Sequence, residues 1–200
     1  MREARSHSAF ITAALVTLCW WFGSAVPAAA QTLAPEDRLC DPTFEDCRAD
    51  ILTYIQQEKV EIDMAFWMMN DARYSNALVA AWNRGVKIRI LMDPRCDTAH
   101  NACNAQNDQL EAALIPMRNR NLNVSGILHW KMALFVGQGQ VEFAGANFAP
   151  FELTPEIPYV NFTDEIVMFT KDPALVQSFM ISRSAPIEVT WLRGLTKVSG

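Results

Sequence analysis

The chain has 200 residues, half of them hydrophobic and one in five charged, which is ordinary globular composition and a length suited to one domain. Its net charge of −5 excludes a surface that coats itself on polyanions. Any nucleic-acid contact would need a local basic patch, because phosphate neutralisation dominates such affinities.

The first 30 residues read as an export signal. Arg2 and Arg5 give a basic start, an apolar stretch runs from Ala9 to Val26, and Ala28-Ala29-Ala30 offers small residues for cleavage before Gln31. An uncleaved membrane anchor is the other reading of this segment. The expectation is a periplasmic or secreted protein. Residues 31–45, which contain prolines and acids, are expected to be irregular.

Cysteine usage agrees with export. Outside the signal stand two pairs with matched spacing, Cys40…Cys47 and Cys96…Cys103. Of the three connectivities, the two local bridges are favoured, each closing a short loop worth about 2–3 kcal/mol. A metal site using His100 with Cys96 and Cys103 is the alternative, but it lacks the close cysteine pairs of a zinc module.

The apolar pattern predicts a helix from Asp46 to Glu58, with Ile51, Leu52 and Ile55 on one face. A strand follows over Val60–Trp67. Asp71 or Ser75 can cap a second helix that carries Leu78, Val79 and Trp82 through Asn83 and ends at Arg84-Gly85. Val86–Met92 alternates as a strand and stops at Asp93-Pro94. Asp108–Met117 has a helical pattern, and Asn123–Leu128 leads into a strand or turn. Lys131–Val136 and Gln140–Ala144 flank Gly137-Gln138-Gly139, which is a hairpin signal. After a proline-rich loop over 149–163 come a short strand, Ile166–Phe169, and a last helix, Pro173–Met180. Strands alternating with helices predict an α/β sandwich with a central mixed sheet flanked by helices.

Two histidines lie outside the signal, His100 and His129. His129 and Lys131 are two residues apart, so on an extended backbone they face the same side. The hairpin can return Asn147, in Phe143-Ala-Gly-Ala-Asn147, beside them. Such a trio suits a phosphate diester. The cation and the amide hold the non-bridging oxygens while imidazole attacks phosphorus or protonates a leaving oxygen, and no metal or other cofactor is implied. A partly buried histidine and an exposed lysine on an edge strand is the plainer alternative.

His129-x-Lys131 with Ala144-Gly145-Ala146-Asn147 resembles the His-x-Lys-x4-Asp…Gly-Ser-x-Asn signature of the phospholipase D superfamily. Ile62–Met69, Ala77–Asp93 with its Arg84-Gly85-Val86, and Asn161–Met168 with Asp164 and Glu165 extend the resemblance to about residues 45–195, which sets the domain at 46–197. Two signature positions differ: Val136 stands where the family has Asp, and Gly145 stands where it has Ser. The resemblance implies a phosphodiesterase in which one histidine forms a phosphohistidine and a second protonates the leaving alcohol, each oriented by an acid. Here that acid is Asp164, with Glu165 next in line. The substrate is a phospholipid or a nucleic acid. The mechanism uses two His-x-Lys motifs and this chain has one, so the resemblance also implies a symmetric homodimer or a second phospholipase D-like half. A catalytically silent member, serving as a binding or partner subunit, is the alternative reading.

Overall fold

The computed structural model describes residues 37–93, 104–120 and 126–180. The expected export signal, the Cys96–Cys103 bridge and His100 lie outside the described residues.

Seven strands form one sheet in the order β1-β7-β6-β5-β2-β3-β4. In chain order the elements are β1 (Arg38–Cys40), α1 (Cys47–Gln57), β2 (Glu61–Phe66), α2 (Ala72–Asn83), β3 (Lys87–Met92), α3 (Asn104–Ala112), β4 (Met117–Asn119), β5 (Lys131–Phe135), β6 (Gln140–Ala144) and β7 (Val167–Thr170). A further helical segment covers 173–180. β2, β3 and β4 run parallel, joined by helical crossovers. β5, β6, β7 and β1 make an antiparallel half, and β2 is the seam, parallel to β3 and antiparallel to β5. The central mixed sheet flanked by helices that the sequence predicts is the architecture observed.

The helices start where capping chemistry allows. The Asp46 carboxylate accepts the Ala49 N–H at 3.0 Å and starts α1, and Asp71 accepts the Arg73 N–H at 2.9 Å and starts α2. Gly85, at φ +90°, ends α2 in a conformation that side chains resist. Ile51 and Ile55, Tyr74 and Leu78, and Leu110 pack from the three helices onto one face of the sheet, where they meet Ile62, Met64 and Phe66 of β2 and Ile88, Ile90 and Met92 of β3. Val176, Phe179 and Met180 cover part of the other face over Ala65, Met132, Leu134 and Val141. The period-2 alternation of the strands therefore serves two helical layers.

Several boundaries differ from the expectation, and the third helix starts earlier, at Asn104 rather than Asp108. Residues 38–40, placed in an irregular segment, form β1, which is held against β7 and tied to α1 by the Cys40–Cys47 disulfide. The third helix ends at Ala112, and Met117, assigned to it, opens β4 instead, because pairing with Ile90 of β3 outweighs helical periodicity there. Val136 leaves the strand for a 3-10 turn. β7 begins at Val167 rather than Ile166. In the hairpin turn Gly137 has no room for a side chain, since a Cβ there would lie 2.3 Å from Glu58 Oε1.

Candidate active site

β5 is the fourth strand of seven, and Lys131 is its first residue. Register carries the site residues to one end of the sheet. Lys131 pairs with Phe66 of β2, Met132 with Phe143 of β6, and Ala144 with Val167 of β7. Residues just beyond those strand ends therefore converge.

The histidine and the lysine are in contact. Lys131 Nζ lies 2.9 Å from His129 Nδ1 and 2.8 Å from Nε2. Lys131 is only 3% exposed, whereas His129 is open to solvent beside the Trp67 ring, with centroids 6.4 Å apart. This inverts the alternative of a buried histidine and an exposed edge-strand lysine. Burial pulls the Lys131 ammonium below its ordinary value of 10.5, and the carboxylates of Glu152 and Glu165 offset part of that shift.

The segment carrying His129 is pinned from below. Asp93, fully buried at the end of β3, accepts the Leu128 N–H at 2.8 Å, and the Trp67 N–H donates to the Trp130 carbonyl at 3.1 Å. His129 thus leaves the sheet from a fixed backbone.

Asn147 is half-buried after β6, between the Ala146 and Phe148 anchors of the core. Its backbone N–H donates to Glu152 Oε2 at 2.5 Å, and its Nδ2 donates to Oε1 at 3.1 Å and Oε2 at 2.9 Å. The Glu152 charge also raises Lys131 at a distance, without a hydrogen bond or ion pair between the two. The sequence reading passed over Glu152, which sits in the proline-rich loop with no motif around it.

Of the two acids weighed before β7, Glu165 is the one that acts on Lys131, and Asp164 is exposed. A Cβ on Gly145 would lie 2.3 Å from Glu165 Oε2, so the Glu165 carboxylate fills the space beside the position where the family signature carries Ser. Pleat phase explains the choice. Glu165 is two residues before Val167, which pairs with Ala144 on the face that carries Lys131, whereas Asp164 has the opposite phase.

A shallow cavity of about 370 Å³ opens beside the pair, lined by His129, Trp130, Lys131, Met132, Phe143 and Phe179 among others. Chemically, the cavity offers an exposed imidazole and a buried cation against one apolar wall, while the Asn147 donors lie outside its lining and are engaged by Glu152. Among the described residues, no group of three or more His, Cys, Asp or Glu is placed to hold a metal ion.

The profile of the cardiolipin synthase PLD-like domain matches residues 51–181. The chain belongs to the phospholipase D-like family. Among solved structures, it is similar to Nuc, a phospholipase D family member from Salmonella typhimurium, at 25% identity and a TM-score of 0.57, covering 74% of this chain and 91% of Nuc. NucT from Helicobacter pylori shares the fold at 14% identity and a TM-score of 0.58, covering 76% of this chain and 95% of NucT. So does phosphatidylserine synthase from Haemophilus influenzae, at 14% identity and 0.55, covering 75% of this chain and 36% of the synthase. No curated protein is similar enough to count as a match. The phospholipase D-like fold therefore extends over the part of the chain that carries His129, Lys131 and Asn147.

Proposed function

We propose that the protein is an exported phosphodiester hydrolase or transferase that works through a phosphohistidine on His129. The observation that carries this reading is the contact of the buried Lys131 ammonium with the exposed imidazole of His129.

The geometry suits the chemistry. An imidazole nitrogen of His129 attacks phosphorus, a P–N bond forms, and the P–O bond to the leaving alcohol breaks. A second imidazolium donates its proton to the leaving oxygen. Water, or another alcohol for transfer, then attacks the phosphohistidine, loses its proton to that second imidazole and restores His129. Lys131 and the Asn147 donors hold the non-bridging oxygens as charge builds on them. The acid that orients the imidazole is Asp164 or Glu165, and the charge of Glu165 on Lys131 favours the second.

The second imidazole comes from a second copy of the chain across a two-fold axis, or from another phospholipase D-like half. Exposed apolar side chains around the site, among them Ile127, Trp130, Phe151 and Ile166, favour burial of this face against a partner. The basic start, the apolar stretch and the Cys40–Cys47 bridge support export to the periplasm or beyond, and a Cys96–Cys103 bridge belongs to the same reading. Phospholipid and nucleic acid are the two substrate classes. A catalytically silent partner subunit is the second reading, favoured by Gly145 in place of a hydroxyl and by the engagement of Asn147 with Glu152.

The test is turnover of a chromogenic phosphodiester, run beside DNA and phospholipid vesicles. Mixing His129→Ala chains with wild type should lower specific activity per wild-type chain if the site is shared. No turnover on any of the three substrates would leave the silent reading.

A further inference from the structure

The Asn147 side chain is oriented at a loss. Its two N–H donors, backbone and amide, both go to the Glu152 carboxylate, while its Oδ1 is buried without a hydrogen-bond partner among the described residues. A link that served only to hold the loop would satisfy both ends of the amide. What fixes the amide is the anion in front of it. That anion also acts on the Lys131 ammonium, more strongly than Glu165 does. The donors gathered on Glu152, a side-chain amide and a backbone N–H, are donors that a phosphodiester needs, and the Lys131 ammonium feels the same negative charge from beyond hydrogen-bond distance. A carboxylate and a phosphodiester each present two anionic oxygens on one atom, and the same donors receive either.

We propose that the Glu152 carboxylate is an internal stand-in for the substrate phosphate, seated on the Asn147 donors beside Lys131, and that a phosphodiester enters by displacing it. This rests on the reading of the site as a phosphodiester site. The displacement is a side-chain movement. The backbone on either side of Glu152 is pinned, because the Leu153 carbonyl accepts the Arg48 N–H at 3.1 Å and the Pro150 carbonyl accepts Arg48 Nη1 at 2.9 Å. Leu153 itself is fully buried in the core. Glu152, half-buried, can swing outward past the exposed Phe151 while the loop stays in place. The free site is thus occupied by its own chain, and ligand affinity is what remains after competition with a tethered anion.

The competing role for Glu152 is to position Asn147, and the two roles differ in sign. Inorganic phosphate and orthovanadate binding to the full chain, followed by calorimetry and phosphorus NMR, reads them apart without requiring turnover. Glu152→Ala should bind phosphate at least about tenfold more tightly than wild type, since a charge-assisted competitor is gone. Glu152→Gln, which keeps the shape and guards against a folding defect in the alanine variant, should lie between. Glu165→Gln removes the same charge without vacating the Asn147 donors, so it should gain less than Glu152→Ala. Adding Lys131→Ala to Glu152→Ala should abolish the gain. Weaker or unchanged phosphate binding in both Glu152 variants overturns the proposal and assigns Glu152 to positioning. An equal gain in Glu165→Gln also overturns it, as simple removal of charge. If wild type turns over no phosphodiester but Glu152→Ala gains phosphate affinity, the catalytic reading fails and this proposal stands.

Discussion

Two carboxylates at opposite ends of the sheet accept the same kinds of donor and end up in different trades. At the hairpin end, Glu58 accepts the N–H groups of Lys59, Val60 and Gly137 at 2.8–3.0 Å and the Gln138 amide at 3.1 Å. At the other end, Glu152 accepts the N–H and amide of Asn147. Glu58 is 1% exposed; burial alone would push it up, yet those hydrogen bonds outweigh burial and hold it below its ordinary value. Its network is closed, and it locks α1 to the hairpin turn. The Glu152 network is open: among the described residues it leaves a buried Asn147 oxygen without a hydrogen-bond partner. Closed networks build the frame, and open ones leave donors that a ligand can take.

The contrast can be broken most sharply at His129. His129→Ala should lower phosphodiester turnover on the order of 10³-fold or more, because the proposed nucleophile is lost, while an exposed ring leaves the thermal midpoint where it was. Activity that survives in a folded variant would place the chemistry elsewhere. At the hairpin end the effect should reverse. Glu58→Ala strands several N–H donors and should destabilise the fold by about 2 kcal/mol, with specific activity per folded molecule retained. Denaturant midpoints with active-site titration would check it, and Glu58→Gln, which keeps an acceptor, should fall between.

Lys131 sharpens the same contrast through pH. Burial lowers its pKa from the ordinary 10.5, so the ammonium that would hold phosphate is lost at a lower pH than in an exposed lysine. The alkaline limb of the pH–rate profile should therefore fall below 10.5, and Glu165→Gln should move it lower still by removing a carboxylate that raises Lys131. A limb that ignores the Glu165 substitution would separate Lys131 from turnover.

The frame was legible in the sequence wherever period and caps agree: β2, β3, α1 and α2 follow from apolar alternation and from Asp46 and Asp71. β1 and β4 are three residues each and owe their existence to partners far along the chain, which no local period encodes. Of the site, His129, Lys131 and Asn147 were readable because their spacing is a motif. Glu152 was not, because it is placed by the fold of a loop. That Glu165 rather than Asp164 shares the phase of Val167 is a signal present in the sequence once the inward face of Val167 is known.

Glu142 was hidden for the opposite reason. It sits in a run read as apolar, and the structure treats it as apolar too. It is fully buried on β6, opposite Ala133 and Phe169, on the face that packs against the helices. Burial pushes its carboxyl well above the ordinary 4.5, with neither carboxyl oxygen in a hydrogen bond among the described residues, so the folded chain keeps a proton that the unfolded chain releases. The sign follows directly. The contribution of Glu142 to stability is fully present below about 4.5, the unfolded value, and is lost as pH rises from there towards the raised folded value, because ionisation favours the unfolded chain. Glutamine has nearly the same shape and does not titrate. Glu142→Gln should match wild type near pH 4 and exceed it by roughly 3–6 °C in thermal midpoint near pH 8, the gap widening steadily between. Melting curves at intervals across that range would read the slope. A midpoint difference that stays constant with pH would mean that Glu142 holds the same charge folded and unfolded, and would place it with the closed networks of the frame rather than among groups kept neutral by burial alone.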